Sequence, residues 1–185
     1  MRQVIGSVAL ACAFTCTVLT AQEPRGSKPA ADLPGHKPPS ADAPFIGKAA
    51  MDGLAEVEHG RLAAQHASSP EVKRFARRMI DDHSKAGDEL KRLASQKEVT
   101  LAAKLDDQHR ATHDHLAQLK GPEFDKAYMS QMAKAHLEAV ASFQEEANRG
   151  QDADVKAWAA KTLPTLQEHV KLASSINATI NKPGK

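Results

Sequence analysis

The sequence predicts an all-α protein built from four long helices and one short one. Three observations lead there. The first is composition: of 185 residues, 41% are hydrophobic but only 4% aromatic, with one Trp and one Tyr. Such a chain is rich in helix formers and poor in the residues that favour strands. The second is period: from Phe45 onward apolar residues recur at the three-to-four spacing of an amphipathic helix. The third is punctuation, with Ser69-Pro70-Glu71, Gly121-Pro122 and Gly150-Gln151-Asp152 dividing the stripes.

At the N-terminus, Arg2 precedes an apolar run from Val4 to Leu19, followed by Thr20-Ala21-Gln22. A basic start, an apolar stretch and a small residue before a polar segment make a secretory signal peptide, residues 1–21, with cleavage after Ala21 and a periplasmic destination. The run is short for a spanning helix and holds Ser and Thr, so cleavage is the reading taken over a retained anchor. Ala9-Leu10-Ala11-Cys12 is a poor lipoprotein box. Both cysteines, Cys12 and Cys16, lie in this leader. A mature chain would therefore lack thiols, which excludes disulfide staples, thiol catalysis and Cys-based zinc sites. Residues 22–44 hold six of the ten prolines and show no periodicity, which predicts a disordered linker. The bundle is expected over 45–181, with a short disordered tail at 182–185. A formal net charge of +2 argues against a nucleic-acid partner, and no membrane span is expected in the mature chain. A homo-oligomer and an envelope protein partner stay open.

The first helix is expected from Pro44 to Ala67. Ser69 then caps a second, Pro70 to Lys97, with Pro at its first position and an acidic first turn. Its stripe is Val72, Phe75, Ala76, Met79, His83, Ala86, Leu90 and Leu93. A third, shorter helix falls within Ala103–Lys120. The fourth runs to Asn148, with Phe124, Tyr128, Met132, His136, Val140, Phe143 and Ala147 on one face. Asp152 caps the fifth, whose stripe is Val155, Ala159, Thr162, Leu166, His169, Ala173 and Ile176, with a kink expected at Pro164. Phe75-x3-Met79-x3-His83-x6-Leu90 recurs as Tyr128-x3-Met132-x3-His136-x6-Phe143, a faint internal repeat. Two hairpins joined by one long crossover form a ferritin-like four-helix bundle with a short crossover helix. Stripe spacing alone equally allows an up-and-down bundle.

The segments FIGKAAMDGLAEVEHGRLA (45–63), VKRFARRMIDDHSKAGDELKRLA (72–94), GPEFDKAYMSQMAKAH (121–136) and WAAKTLPTLQEHVKLA (158–173) closely resemble the bacterial family known as domain of unknown function 4142. The resemblance implies an exported, ferritin-like helical protein. It implies no activity and no ligand set.

Each long helix carries a ligand-type side chain in the middle of its apolar stripe: Glu56, His83, His136 and His169. Counted from the hairpin turns at 1.5 Å per residue, their heights agree within about 6 Å. Imidazole and carboxylate together suit a single transition-metal ion, Zn, Mn, Fe or Cu. Glu56 and His59 form a Glu-x-x-His pair of the kind that di-iron bundles use twice. The second pair is missing, because Ile80, Ala133 and Leu166 stand three residues before the other histidines, and this argues against a di-iron centre. Met79 and Met132, one turn before His83 and His136, read as core filling, with a softer Cu(I) site as the alternative. Against coordination stands a metal-free layer in which Glu56 pairs with one imidazole while Asp81, Asp82 or Glu168 orient others. Redox catalysis at the same layer would need an open coordination position. His109 and His113, spaced i, i+4 near Asp106 and His115, read as a solvated face rather than a surface metal site. His59 and His66 are expected at the bundle edge. Asp152-Ala153-Asp154 reads as a cap, and no nucleophile elbow, phosphate loop or dinucleotide fingerprint occurs, so sequence assigns no enzymatic activity.

Overall fold

A computed structural model of the chain describes residues 40–182. The expected leader with Cys12 and Cys16, linker residues 22–39 and tail residues 183–185 lie outside the described residues. Five helices follow in order: α1 Ala43–His66, α2 Pro70–Gln96, α3 Asp107–Ala117, α4 Gly121–Arg149 and α5 Ala153–Ile180. Among the described residues there is no strand, and no helix is long and apolar enough to cross a membrane.

Local chemistry sets the helix starts. The Ser69 hydroxyl accepts from the amides of Glu71 (3.2 Å) and Val72 (3.4 Å), satisfying donors that the first turn of α2 leaves free. Asp106 does the same for His109 at the start of α3 (2.8 Å). Asp152 accepts from Asp154 and Val155 to start α5. The turn into α4 needs a left-handed residue, and Gly121 supplies it at φ +61°. Helix α5 is continuous through Pro164, which lies on its exposed face.

Contacts at the two ends fix the helix directions. At one end the buried Asp42 carboxylate accepts from the amides of Gln151 (3.0 Å) and Asp152 (2.6 Å), joining the start of α1 to the α4–α5 turn. Lys97, just past α2, reaches Asp152 (2.7 Å) and Asp154 (2.6 Å) at that same end. At the other end Asp125, in the first turns of α4, accepts from the Ser68 amide (3.1 Å), the Ser68 hydroxyl (2.6 Å) and the Ser69 amide (2.8 Å). His66 Nδ1 donates to the Leu119 carbonyl nearby (2.8 Å). Helices α1 and α5 therefore run one way, and α2 and α4 the other. Residues 97–120 return the chain along the bundle, with α3 lying on α1 and reaching α4.

The core has two apolar clusters. One gathers Ala63, Val72, Phe75, Met79, Phe124, Tyr128, Met132 and Ala173. The other gathers Ile46, Leu90, Phe143, Val155, Trp158 and Leu166. The expected stripes of α2, α4 and α5 supply most of both. Trp158 and Leu163 are buried beyond the α5 stripe as read. Helices α1 and α2 approach closely at Gly60, where a Cβ would stand 3.0 Å from the Ile80 side chain and 3.1 Å from the Ala76 carbonyl.

Asp125 is 3% exposed and gathers three donors. Asp125→Ala should leave the Ser68 and Ser69 donors buried without an acceptor and cost about 3 kcal/mol. Urea unfolding would show this as a lower midpoint at unchanged slope.

Candidate metal centre

The four predicted side chains converge. Glu56 of α1, His83 of α2, His136 of α4 and His169 of α5 are 6%, 9%, 0% and 0% exposed, in a layer between the two apolar clusters. Ring centroids lie 5.5 Å apart for His83–His136, 5.3 Å for His83–His169 and 5.1 Å for His136–His169. One ring nitrogen of each imidazole falls within 4.8 Å of the others, and this buried group could hold a metal ion. Glu56 lies alongside, with Oε2 3.0 Å from His83 Nε2 and Oε1 3.4 Å from His136 Nδ1. The His83 approach is close but off-axis, so His83 Nε2 lacks a well-formed hydrogen bond.

Outer contacts fix the proton positions. His136 Nδ1 is 2.9 Å from the Met132 carbonyl, which only accepts, so this nitrogen carries the proton. His169 Nε2 donates to Asp82 Oδ2 at 2.9 Å. Arg78 holds that oxygen from the far side (3.1 Å) while its other arm reaches Glu168 on α5 (2.5 Å). In a neutral imidazole the remaining nitrogen is a lone-pair acceptor. Those atoms, His136 Nε2 and His169 Nδ1, are buried and have no partner. Giving the outer N–H to a carboxylate or carbonyl while the inner nitrogen stays free is the usual arrangement of metal-binding histidines.

Burial and neighbouring charges set the ionisation of the layer in opposite directions. Burial opposes ionisation of Glu56, but the His83 and His136 imidazoles and the His83 contact outweigh it and lower its pKa to about 2. Burial also works against a charged His83, yet the Glu56 carboxylate overcomes it and raises the His83 pKa. For His169, burial prevails over the Asp82 hydrogen bond, and with His83 and His136 nearby the pKa falls to about 4. Asp82 is lowered despite partial burial, because His169 and Arg78 both donate to it. His169 is thus held neutral and Glu56 ionised, whereas His83 is favoured in its protonated form.

Other candidates fall differently. His59 corrects the sequence reading: it is 2% exposed, not at the bundle edge, because α3 covers it. Its ring stacks on His113 of α3 with centroids 6.0 Å apart. His109 is partly covered and bonded to Asp106 rather than fully solvated, whereas His115 is exposed. Of Asp81, Asp82 and Glu168, it is Asp82 that orients His169. The Met132 carbonyl had no signal in the sequence, since every helical residue carries one.

Fold and site together define a helical bundle with a buried three-histidine core. The chain belongs to the family described as "Domain of unknown function (DUF4142)", which matches residues 27–176. No curated protein matches. Among solved structures it is similar to a Streptomyces coelicolor protein described as secreted and of the DUF305 family, at 16% identity, TM-score 0.65, covering 76% of this chain and 92% of that one. A DUF305 fragment from Deinococcus radiodurans matches at 11% identity and TM-score 0.67, covering 77% and 99%. CopM in its Cu(I)-bound form matches at 20% identity and TM-score 0.64, covering 76% and 97%. These likenesses concern the fold.

The depressed pKa of His169 sets a sign for pH. Its neutral form is favoured in the fold, so its contribution is complete above pH 6.5 and declines as pH falls toward 4. His83, with its raised pKa, contributes in the opposite sense, its share being lost as pH rises through the folded value. The stability of wild-type relative to His169→Gln, measured without metal, should fall by about 3 kcal/mol between pH 7 and pH 4. Paired urea melts at the two pH values measure it.

Proposed function

We propose that this protein is an exported, ferritin-like bundle that binds one transition-metal ion through Glu56, His83, His136 and His169 and handles metal or stress in the cell envelope. One observation carries the reading. His136 Nε2 and His169 Nδ1 are both buried without a partner while the other nitrogen of each ring is committed to an acceptor, and one nitrogen of each of the three imidazoles lies within 4.8 Å of the others. A metal-free polar layer explains the outer contacts but leaves these inner lone pairs without a donor, each at about 1–3 kcal/mol. A cation answers both at once.

The donor set suits Zn²⁺, Mn²⁺, Fe²⁺ or Cu²⁺. Copper is the first ion to test, because one structural neighbour, CopM, was solved with Cu(I) and with Cu(II) bound. Met79 and Met132 lie in the apolar cluster and are read as core filling. Export rests on the leader at 1–21, with the Pro-rich segment 22–44 as a linker preceding the domain. A homo-oligomer and an envelope protein partner are compatible with this role but do not support it.

Purified metal-free protein should bind one equivalent of Cu²⁺ or Zn²⁺ by calorimetry. At one hundred times Kd the ion adds about 2.7 kcal/mol, a Tm rise on the order of 10 °C. His136→Leu should abolish stoichiometric binding with the helical circular-dichroism spectrum intact. Asp82→Asn, acting through His169, should weaken binding by about 10–100-fold. No change in Tm with any of the four metals would overturn the reading.

A further inference from the structure

Two residues of the proposed centre, His136 and His169, are wholly buried, so an ion needs a path to them. A cleft of about 630 Å³ lies between α1, α3 and α4, lined by Asp52, Asp106 and His109 and by His59, Met132 and Glu56. Glu56 is thus a shared wall: it lines the cleft and also meets His83 and His136.

Two features of the lining point to a cation. His59 is 2% exposed, its Nε2 has no partner, and its ring stacks on His113 of α3. His109 donates Nδ1–H to Asp106 Oδ1 (2.8 Å), the same outer carboxylate contact that His169 makes with Asp82. Its Nε2 then faces Asp52 Oδ1 at 3.5 Å. The ring thus lies between two carboxylates, which together favour positive charge at this point of the cleft. The lining also holds four carboxylates (Asp52, Glu56, Asp106, Glu138) against two lysines (Lys48, Lys134).

We propose that the cleft beneath α3 is the loading path of the buried centre, with His109 and Asp52 capturing an aquated divalent cation and His59 handing it to Glu56. The proposal rests on the metal-binding reading above. Each step is ligand exchange: water leaves the ion as an imidazole nitrogen or carboxylate oxygen takes its place, with no change of oxidation state. Burial lowers the His59 pKa, so no proton has to leave that ring first. Glu56 and His59, three residues apart on α1, are one turn from each other along a single helix face.

The test is stopped-flow absorbance of the metal-free full chain mixed with aqueous Cu²⁺, followed by release to excess EDTA. Asp52→Asn/His109→Ala and, separately, His59→Gln should slow loading on the order of tenfold. Release should slow by the same factor, so that Kd is unchanged, and His66→Ala, outside the cleft lining, should match wild-type. Unchanged rates in variants of a protein that binds one ion would overturn the path and leave the centre standing. A weaker Kd at an unchanged loading rate would make these residues ligands and also overturn it, as would faster loading in His59→Gln, which would make that ring a plug. No binding by wild-type would overturn path and centre together. Should His59→Gln fail to fold, the double variant on partly exposed residues carries the test alone.

Discussion

The middle of this bundle depends on removing one carboxylate and three imidazoles from water at a single level of a four-helix core. Burying such groups costs several kcal/mol unless each finds a partner. Glu56 is the hub. Its two oxygens face His83 on α2 and His136 on α4, so one side chain of α1 neutralises part of the cost for two neighbours. The fourth helix is served separately, with His169 leaning on Asp82, which Arg78 steadies by bridging to Glu168. The apolar clusters above and below supply the burial energy and exclude water from the layer.

Such a layer exists only if the helices hold their register. A slip of one residue moves a side chain 1.5 Å along the axis and turns it by roughly 100°, which would carry an imidazole out of the core. Two buried carboxylates at opposite ends prevent this. Asp42 ties the start of α1 to the α4–α5 turn, and Asp125 ties α4 to the α1–α2 turn. Each bonds backbone amides across elements distant in sequence, so each fixes one hairpin against the other. The return of the chain through residues 97–120 lets α2 and α4 run in the same direction and places α3 against α1, above His59.

Much of this was legible in the sequence because it follows from periodicity. The stripes through Val72–Leu93, Phe124–Phe143 and Val155–Ala173 repeat at helical spacing, and Ser69, Asp106 and Asp152 stand where caps are needed. One ligand-type residue per stripe, at matching distance from the turns, was enough to identify the layer. What sequence left out depends on three-dimensional neighbours. The choice of Asp82 over Asp81 or Glu168 follows from which acid faces α5. The burial of His59 follows from where the crossover lays α3, a short helix rich in charge whose stripe is too weak to orient it. Trp158 and Leu163 broaden the buried face of α5 beyond a single stripe, which a strict 3.6-residue reading does not anticipate.

Why the layer contains three imidazoles and one carboxylate, rather than alternating donors and acceptors, is the question that separates a structural role from a chemical one. A polar layer serving packing alone gains most when each inner acceptor meets an inner donor. Here the Met132 carbonyl takes one ring proton and Asp82 takes another, so His136 Nε2 and His169 Nδ1 keep buried lone pairs without a donor. Reversing either tautomer would supply a donor at the centre, at the expense of an outer hydrogen bond; for His169 that bond is to an ionised carboxylate and is among the stronger kinds. The outer contacts thus hold the centre in its less stable internal arrangement. On the proposed metal-binding role this would be preorganisation: the fold would bear the cost of ordering the ligands before an ion arrives, so an ion with affinity for nitrogen and carboxylate would not have to organise them itself.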